Sequence, residues 1–225
     1  SVALRVICDR EQEIEAFKSQ EYWSITGEFF NKDKIKLTST LTHLDGEKLD
    51  KFTINSEKLA SAAVAKLEKL DYSIGKVEKK QAKRNPYAPF TTSTMLQEAA
   101  RKLGFSAKKT SKIAQDLYEG IDIGGETVGL ITYMRTDSVR SSPESIQDAR
   151  DFLKKTYSIP TKPNAYGTKG SAQDAHEAIR PTDVLKLPQN IFADDDQQKL
   201  YRLIWERFMA SQLKPAVYNT VSAII

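Results

Sequence analysis

The chain has 225 residues, 40% of them hydrophobic and 28% charged, enough apolar material for one large domain or two smaller ones. Its 34 lysines and arginines against 30 acids leave a net charge of +4, an excess that permits a nucleic-acid partner without requiring one. A single cysteine, Cys8, and two histidines, His43 and His176, exclude a disulfide framework and a cysteine- or histidine-rich metal site. No stretch approaches the ~18 apolar residues of a membrane span or reads as a signal peptide. A reducing, cytoplasmic setting is expected, with Cys8 a buried structural thiol.

In chain order, Val2, Leu4, Ile7, Ile14 and Phe17 fall on one helical face. No initiator Met and no capping lead-in precede them, and the chain ends on the β-prone run PAVYNTVSAII; both ends predict an excised piece of a longer protein. Tyr22–Phe30 is aromatic and β-branched, Ile35–His43 alternates, Asp45-Gly46 signals a hairpin, and Lys48–Ile54 is the expected return strand. Asn55 or Ser56 caps a helix through Leu70, and Tyr72–Lys79 reads as another strand. The basic, proline-broken run EKKQAKRNPYAP, Glu78–Pro89, predicts a linker.

Beyond Pro89 the period becomes helical. Met95 to Leu103 forms one helix stopped by Gly104. Ser106 caps a second, stopped by Gly120, so that the two make a helix–turn–helix-like pair. GIDIGGETVG, Gly120–Gly129, lacks the GK[ST] ending of a nucleotide loop and is read as a hairpin or flexible loop, so no nucleotide cofactor is expected. Ser142-Pro143 starts a further helix, Gln173–Ile179 is a short one ending before Pro181, and Asp195–Leu213 is the last. Asp194, Asp195 and Asp196 suit a helix start and lack the alternate spacing of a metal-binding DxD, so no metal site is assigned. The fold class is therefore α+β. A neighbouring helix, 1–20, leads into a β-rich domain of 21–80 and 215–225, which carries an inserted α-helical domain, 81–214.

Three segments carry chemistry. In GLITYMRTDS, Gly129–Ser138, an extended backbone would turn Tyr133 and Arg135 to one face. There a phenol could attack phosphorus while the guanidinium steadies the phosphate oxygens. A core tyrosine beside a solvated arginine would show the same spacing. In SAQDAHEAIRPTD, Ser171–Asp183, His176 and Arg180 lie four apart on the expected helix, where both could reach a phosphate or simply cap and solvate it. Lys108, Lys109 and Lys112 cluster at a helix start, as a phosphate site or a solvated face.

The segments PFTTSTMLQEAARKLGFSAKKTSKIAQDLYEG, GLITYMRTDS, AHEAIRPTD and QKLYRLIWERFMASQLKPA, in this order, together with the opening SVALRVICDREQEIEAF and YWSI, resemble bacterial DNA topoisomerases of the type IA family over almost the whole chain. The resemblance implies that Tyr133 is the nucleophile that becomes linked to a 5′ phosphate, that Arg135 stabilises the scissile phosphate, and that His176 aligns the DNA. It implies relaxation of negatively supercoiled DNA without ATP, a single-stranded DNA substrate, a monomeric intact enzyme at the bacterial nucleoid, a β-rich arch and hinge, and a lifting helical domain. It also implies Mg2+, held by an acidic Toprim domain that nothing in this sequence matches, so the piece alone is expected to be inactive. A tyrosine recombinase would need Arg…His-x-x-Arg before its tyrosine, which is not the order here; a non-catalytic helix–turn–helix DNA-binding module is the alternative.

Overall fold

Hydroxyl, glycine and proline residues decide where the elements begin and stop. They do so in a computed structural model that describes residues 1–123, 125–167, 176–191 and 194–225. The chain divides into two compact units, Ser1–Val77 with Ala223–Ile225, and Glu78–Ser222. Helices and antiparallel strand pairs together make the fold α+β.

The first unit opens with α1 (Val2–Ala16), capped by Ser1, whose hydroxyl accepts the Leu4 N–H at 3.3 Å. No residue of α1 is buried, and Cys8 is exposed rather than a core thiol. Strands β1 (Thr26–Phe30) and β2 (Lys36–Thr40) pair antiparallel, from Thr26 opposite Thr40 to Phe30 opposite Lys36. Asp45 (φ 55°) and Gly46 (φ 84°) supply the two positive-φ positions of the tight turn joining β3 (His43–Leu44) and β4 (Glu47–Lys48). The expected return strand to Ile54 stops at Lys48, because Thr53 closes a turn on Asp50: its hydroxyl accepts the Asp50 N–H at 2.9 Å. Helix α2 (Glu57–Leu67) buries Ala60 and Ala63 and ends short of Leu70, where the Tyr72 hydroxyl donates to the Leu67 carbonyl at 2.7 Å.

The second unit is entered along β5 (Lys76–Arg84) and left along β8 (Ala216–Ile224), which pair with each other. The expected linker from Glu78 is thus a strand as far as Arg84. Nearly every residue of the β5–β8 ribbon is exposed, so no polar–apolar alternation marks it in the sequence. Helices α3 (Thr92–Leu103), α4 (Ala107–Glu119), α5 (Pro143–Lys154) and α6 (Asp195–Ser211) follow, with the hairpin β6 (Ile121–Ile123)–β7 (Glu126–Val128) between α4 and α5. Helices α4, α5 and α6 are capped where the sequence predicts. Ser106, Ser142 and Asp194 accept from Lys109, Ser145 and Gln197 N–H groups, and Gly104 ends α3 at φ 68°. Met95 and Ala99 of α3, Ile113 and Leu117 of α4, and Leu200 and Ile204 of α6 bury together with Leu130 and Ile131. At about 1.5–3 kcal/mol per large side chain removed from water, this cluster is the main stabilising term of the unit.

Candidate active site

Three segments distant in sequence lie side by side next to α3. Ile179 pairs with Phe90 and Pro181 with Ile131, both antiparallel, so the 176–182 segment runs between the lead-in to α3 and the stretch before Tyr133. The Phe90 carbonyl accepts the Ile179 N–H at 2.8 Å, and the Leu130 carbonyl accepts the Thr182 N–H at 2.9 Å. Two threonine hydroxyls tighten the assembly. Thr132 donates to the Ala178 carbonyl at 2.7 Å and accepts the Arg180 N–H at 3.0 Å. Thr92 donates to the Met134 carbonyl at 2.7 Å and accepts the Thr136 N–H at 2.9 Å. Backbone polar groups here are paired across long sequence separations, and that defines the path of the Tyr133–Arg135 bend.

Two glycines bring the end of α4 to the same place. Gly120 sits at φ 122°, and a Cβ there would lie 2.6 Å from a Thr127 methyl; a Cβ on Gly129 would lie 2.7 Å from the Tyr118 carbonyl. The hairpin therefore folds tightly against the end of α4, and the Tyr118 ring meets Tyr133 edge to face at 5.3 Å. The His176 ring approaches Tyr133 from elsewhere in the chain at 5.0 Å. Tyr133 is half-buried against the core, not sunk into it.

Beside these rings lies a cleft of about 390 Å³ lined by Thr91, Thr92, Ser93, Arg135, Asp137 and His176, with Thr136. The α3 N-terminus opens onto it, and its partial positive charge adds to the full charge of Arg135. A guanidinium, an imidazole, hydroxyls and a helix N-terminus form a setting suited to a phosphate. The cleft threonines and Ser93 were not singled out in the sequence. Their hydroxyl-rich run before an apolar helix signals a cap, and Thr91 and Thr94 do form a capping box, but nothing local reveals the reach of Thr92 to Met134.

Several expectations change. Residues 132–135 bend instead of continuing as a strand, so alternation along a strand does not set the directions of Tyr133 and Arg135; Arg135 lines the cleft, and Tyr133 meets His176 beside it. For the Gln173–Ile179 helix, residues 173–175 lie outside the described residues. Residues 176–179 are not helical, since Ile179 spends its N–H on Phe90. His176 and Arg180 therefore do not share a helical face. The Arg180 side chain, 13% exposed, is held by Glu177 at 2.6 Å and by the Pro181 carbonyl at 2.9 Å; it does not line the cleft. Nor do Lys108, Lys109 and Lys112. Lys109 pairs with Asp196 of α6 at 2.5 Å and lies 4.3 Å from the Phe105 ring centre.

A family model described as DNA topoisomerase matches residues 1–225. The chain belongs to the bacterial type IA DNA topoisomerases. It is 48% identical over 231 residues to DNA topoisomerase 1 of Rickettsia bellii (strain RML369-C), covering 100% of this chain and 29% of that protein. It is 51% identical over 229 residues to DNA topoisomerase 1 of Rickettsia prowazekii (strain Madrid E), covering 99% and 30%. The solved structure of full-length topoisomerase I from Thermotoga maritima superposes with a TM-score of 0.73 at 33% identity, covering 98% of this chain and 34% of that one. This topoisomerase chain thus spans about a third of the length of the relatives it matches. Among its described residues, no helix is long and apolar enough to cross a membrane.

Proposed function

We propose that the chain is the strand-cleaving part of a topoisomerase that relaxes negatively supercoiled DNA without ATP, with Tyr133 as the nucleophile on a single strand. The observation that carries this reading is the contact of the Tyr133 ring with His176, a residue from a distant segment that lines one cleft together with Arg135. In the proposed step the Tyr133 oxygen attacks phosphorus and the P–O3′ bond breaks. The phenolic proton is lost, and the departing 3′ oxygen takes up a proton. A 5′-phosphotyrosyl ester and a free 3′ hydroxyl remain. Because the ester conserves the bond energy, religation is the same displacement run backwards. Arg135 offsets the charge that builds on the phosphate oxygens, and His176 holds the strand in register or donates a proton.

Arg180 and the lysines 108, 109 and 112 keep a place in the proposal only as weaker backbone contacts outside the cleft. The family resemblance implies Mg2+ in the intact, monomeric enzyme. Among the described residues no three His, Cys, Asp or Glu side chains come together to hold a metal ion. The cleft supplies one carboxylate, Asp137, and one imidazole, a donor set unlike the several oxygen ligands that magnesium takes. No step above passes through a metal ion. We propose further that the helical unit entered by β5 and left by β8 lifts from a β-rich arch to open the strand gate, that the enzyme works at the nucleoid, and that this chain alone does not relax DNA.

The test is covalent capture. A labelled single-stranded oligonucleotide is incubated with the full-length enzyme, wild type and Tyr133→Phe, and run on a denaturing gel. Loss of the protein–DNA adduct in the variant is expected; an adduct of undiminished yield would move the nucleophile elsewhere. Robust relaxation of supercoiled plasmid by the 225-residue chain would show that the remaining domains are dispensable.

A further inference from the structure

A second cleft in the helical unit, about 440 Å³, is lined by Arg84, Tyr87, Lys102, Arg207, Lys214 and Tyr218, with Glu206 its one carboxylate. We infer that this cleft is a second binding surface for single-stranded DNA, in which Tyr87 and Tyr218 stack bases while Arg84, Arg207 and Lys214 hold the backbone.

The rings are the first argument. Tyr87 is 60% exposed and Tyr218 50%, and Tyr87 is held in place. Arg84 donates to the Tyr87 hydroxyl at 3.1 Å, and Tyr218 lines the same cleft. The Arg84 guanidinium thus orients the Tyr87 ring, with its carbon 5.5 Å from the ring centre, beside a second exposed ring. The second argument is Arg207. Its guanidinium lies 4.7 Å from the centres of both the Tyr87 and Phe90 rings, and its Nε donates to the Ala88 carbonyl at 2.6 Å. Arg207 is half-buried, and loss of hydration pushes its pKa down. The carboxylate nearest in effect, Glu98, is taken up by Lys102 at 2.9 Å. A partly desolvated cation with ring faces for neighbours and no carboxylate of its own is completed by an anion.

A purely internal latch, fastening the 84–90 segment to α6, would account for Arg207. It would not account for two rings left open to solvent on one cleft, since a latch gains by burying its aromatic area. Cations interleaved with exposed aromatic faces are the pattern that takes unstacked bases, so a single strand fits where a duplex does not. This inference rests on DNA being the ligand of the proposed function; it adds where else the strand is gripped.

The measurement is anisotropy of a labelled oligo-dT against the full-length enzyme. Tyr133→Phe is the background throughout, and a denaturing gel of the same mixtures verifies that no covalent adduct forms, so that the anisotropy reads non-covalent binding whichever residue cleaves. Removal of either ring, Tyr87→Ala or Tyr218→Ala, is expected to weaken binding roughly 5- to 100-fold, and Tyr87→Phe to retain it. Lys214→Gln is expected to lower the slope of log affinity against log salt by about 0.7. A duplex of equal length should bind the ring variants as it binds the parent. Circular dichroism establishes that each variant is folded. Unchanged affinity and slope in folded variants overturn the inference, as does equal loss for single strand and duplex. The wild-type adduct assay reports separately on Tyr133.

Discussion

The two units bury their residues very differently. In Glu78–Ser222, large side chains such as Phe90, Leu117, Tyr201, Ile204 and Phe208 are all but removed from water; in Ser1–Val77 the buried apolar residues are Ile54, Ala60 and Ala63. Val6, Ile7, Phe30, Ile35 and Ile74 of the first unit stay exposed. The same kinds of elements therefore rest on different supports. The helical unit is held by a packed core, and the first unit by short hairpins, turns and one helix whose buried face is alanine. The candidate cleavage cleft lies in the well-packed unit, where a reactive geometry can be held to a fraction of an ångström.

The largest expected effect tests that contrast directly. Phe208→Ala should cost about 3–5 kcal/mol in urea unfolding, whereas Leu59→Ala in α2, already 48% exposed, should cost under about 1 kcal/mol. Similar costs at the two sites would erase the distinction. Next comes the clamp on the candidate site. Thr92→Val leaves the Met134 carbonyl and Thr136 N–H without their partner and should cost about 1–3 kcal/mol. In the full-length enzyme it should reduce adduct formation more than DNA affinity, and Thr92→Ser should restore both; a parallel fall in the two would make Thr92 a stability residue only.

Helix caps give a smaller and paired comparison. Ser106 makes its cap bond and Ser56 does not, so Ser106→Ala should lower stability by about 1 kcal/mol and Ser56→Ala by a few tenths. Equal values from thermal unfolding would show that α2 is capped in solution. The smallest effect concerns acid. The Lys102 ammonium holds the Glu98 carboxyl below the ordinary glutamate range, against the opposing pull of burial. The folded state thus binds this proton more weakly than the unfolded chain. The contribution is complete above the usual glutamate pKa and is lost as pH falls through the depressed folded value. A Glu98→Gln variant should show a flatter stability curve over that acidic window, and an unaltered curve would refute the pairing.

Legibility in the sequence follows the same division. Helices α3 to α6 were readable because a 3.6-residue period runs through each, with glycine stops ending α3 and α4 and capping residues opening α4, α5 and α6. Strand β5 was readable only over Lys76–Lys79, the end of the expected Tyr72–Lys79 strand; beyond it, a ribbon exposed on both sides, as at Lys80 and Lys83, needs no apolar alternation. Cys8 was misread for a related reason: its helical face is apolar, but nothing in the described structure covers it. At the site, Tyr133, Arg135 and His176 stood out through family resemblance. The hydroxyls that bring them together did not, because Thr132 and Ala178 are 46 residues apart and Thr92 and Thr136 are 44 apart. The fate of Arg180 was equally hidden, as a guanidinium folded back on Glu177 leaves no mark in the spacing.

That long reach has a consequence for biosynthesis. As the polypeptide leaves the ribosome, Tyr133 emerges well before the 176–182 stretch that must slide in beside it. Until that stretch arrives, the phenol has neither its imidazole neighbour nor a settled backbone path. The ring contact between Tyr133 and His176 therefore forms only once the later stretch has been made, and a half-translated chain holds neither that contact nor the threonine bonds that bring the two stretches side by side.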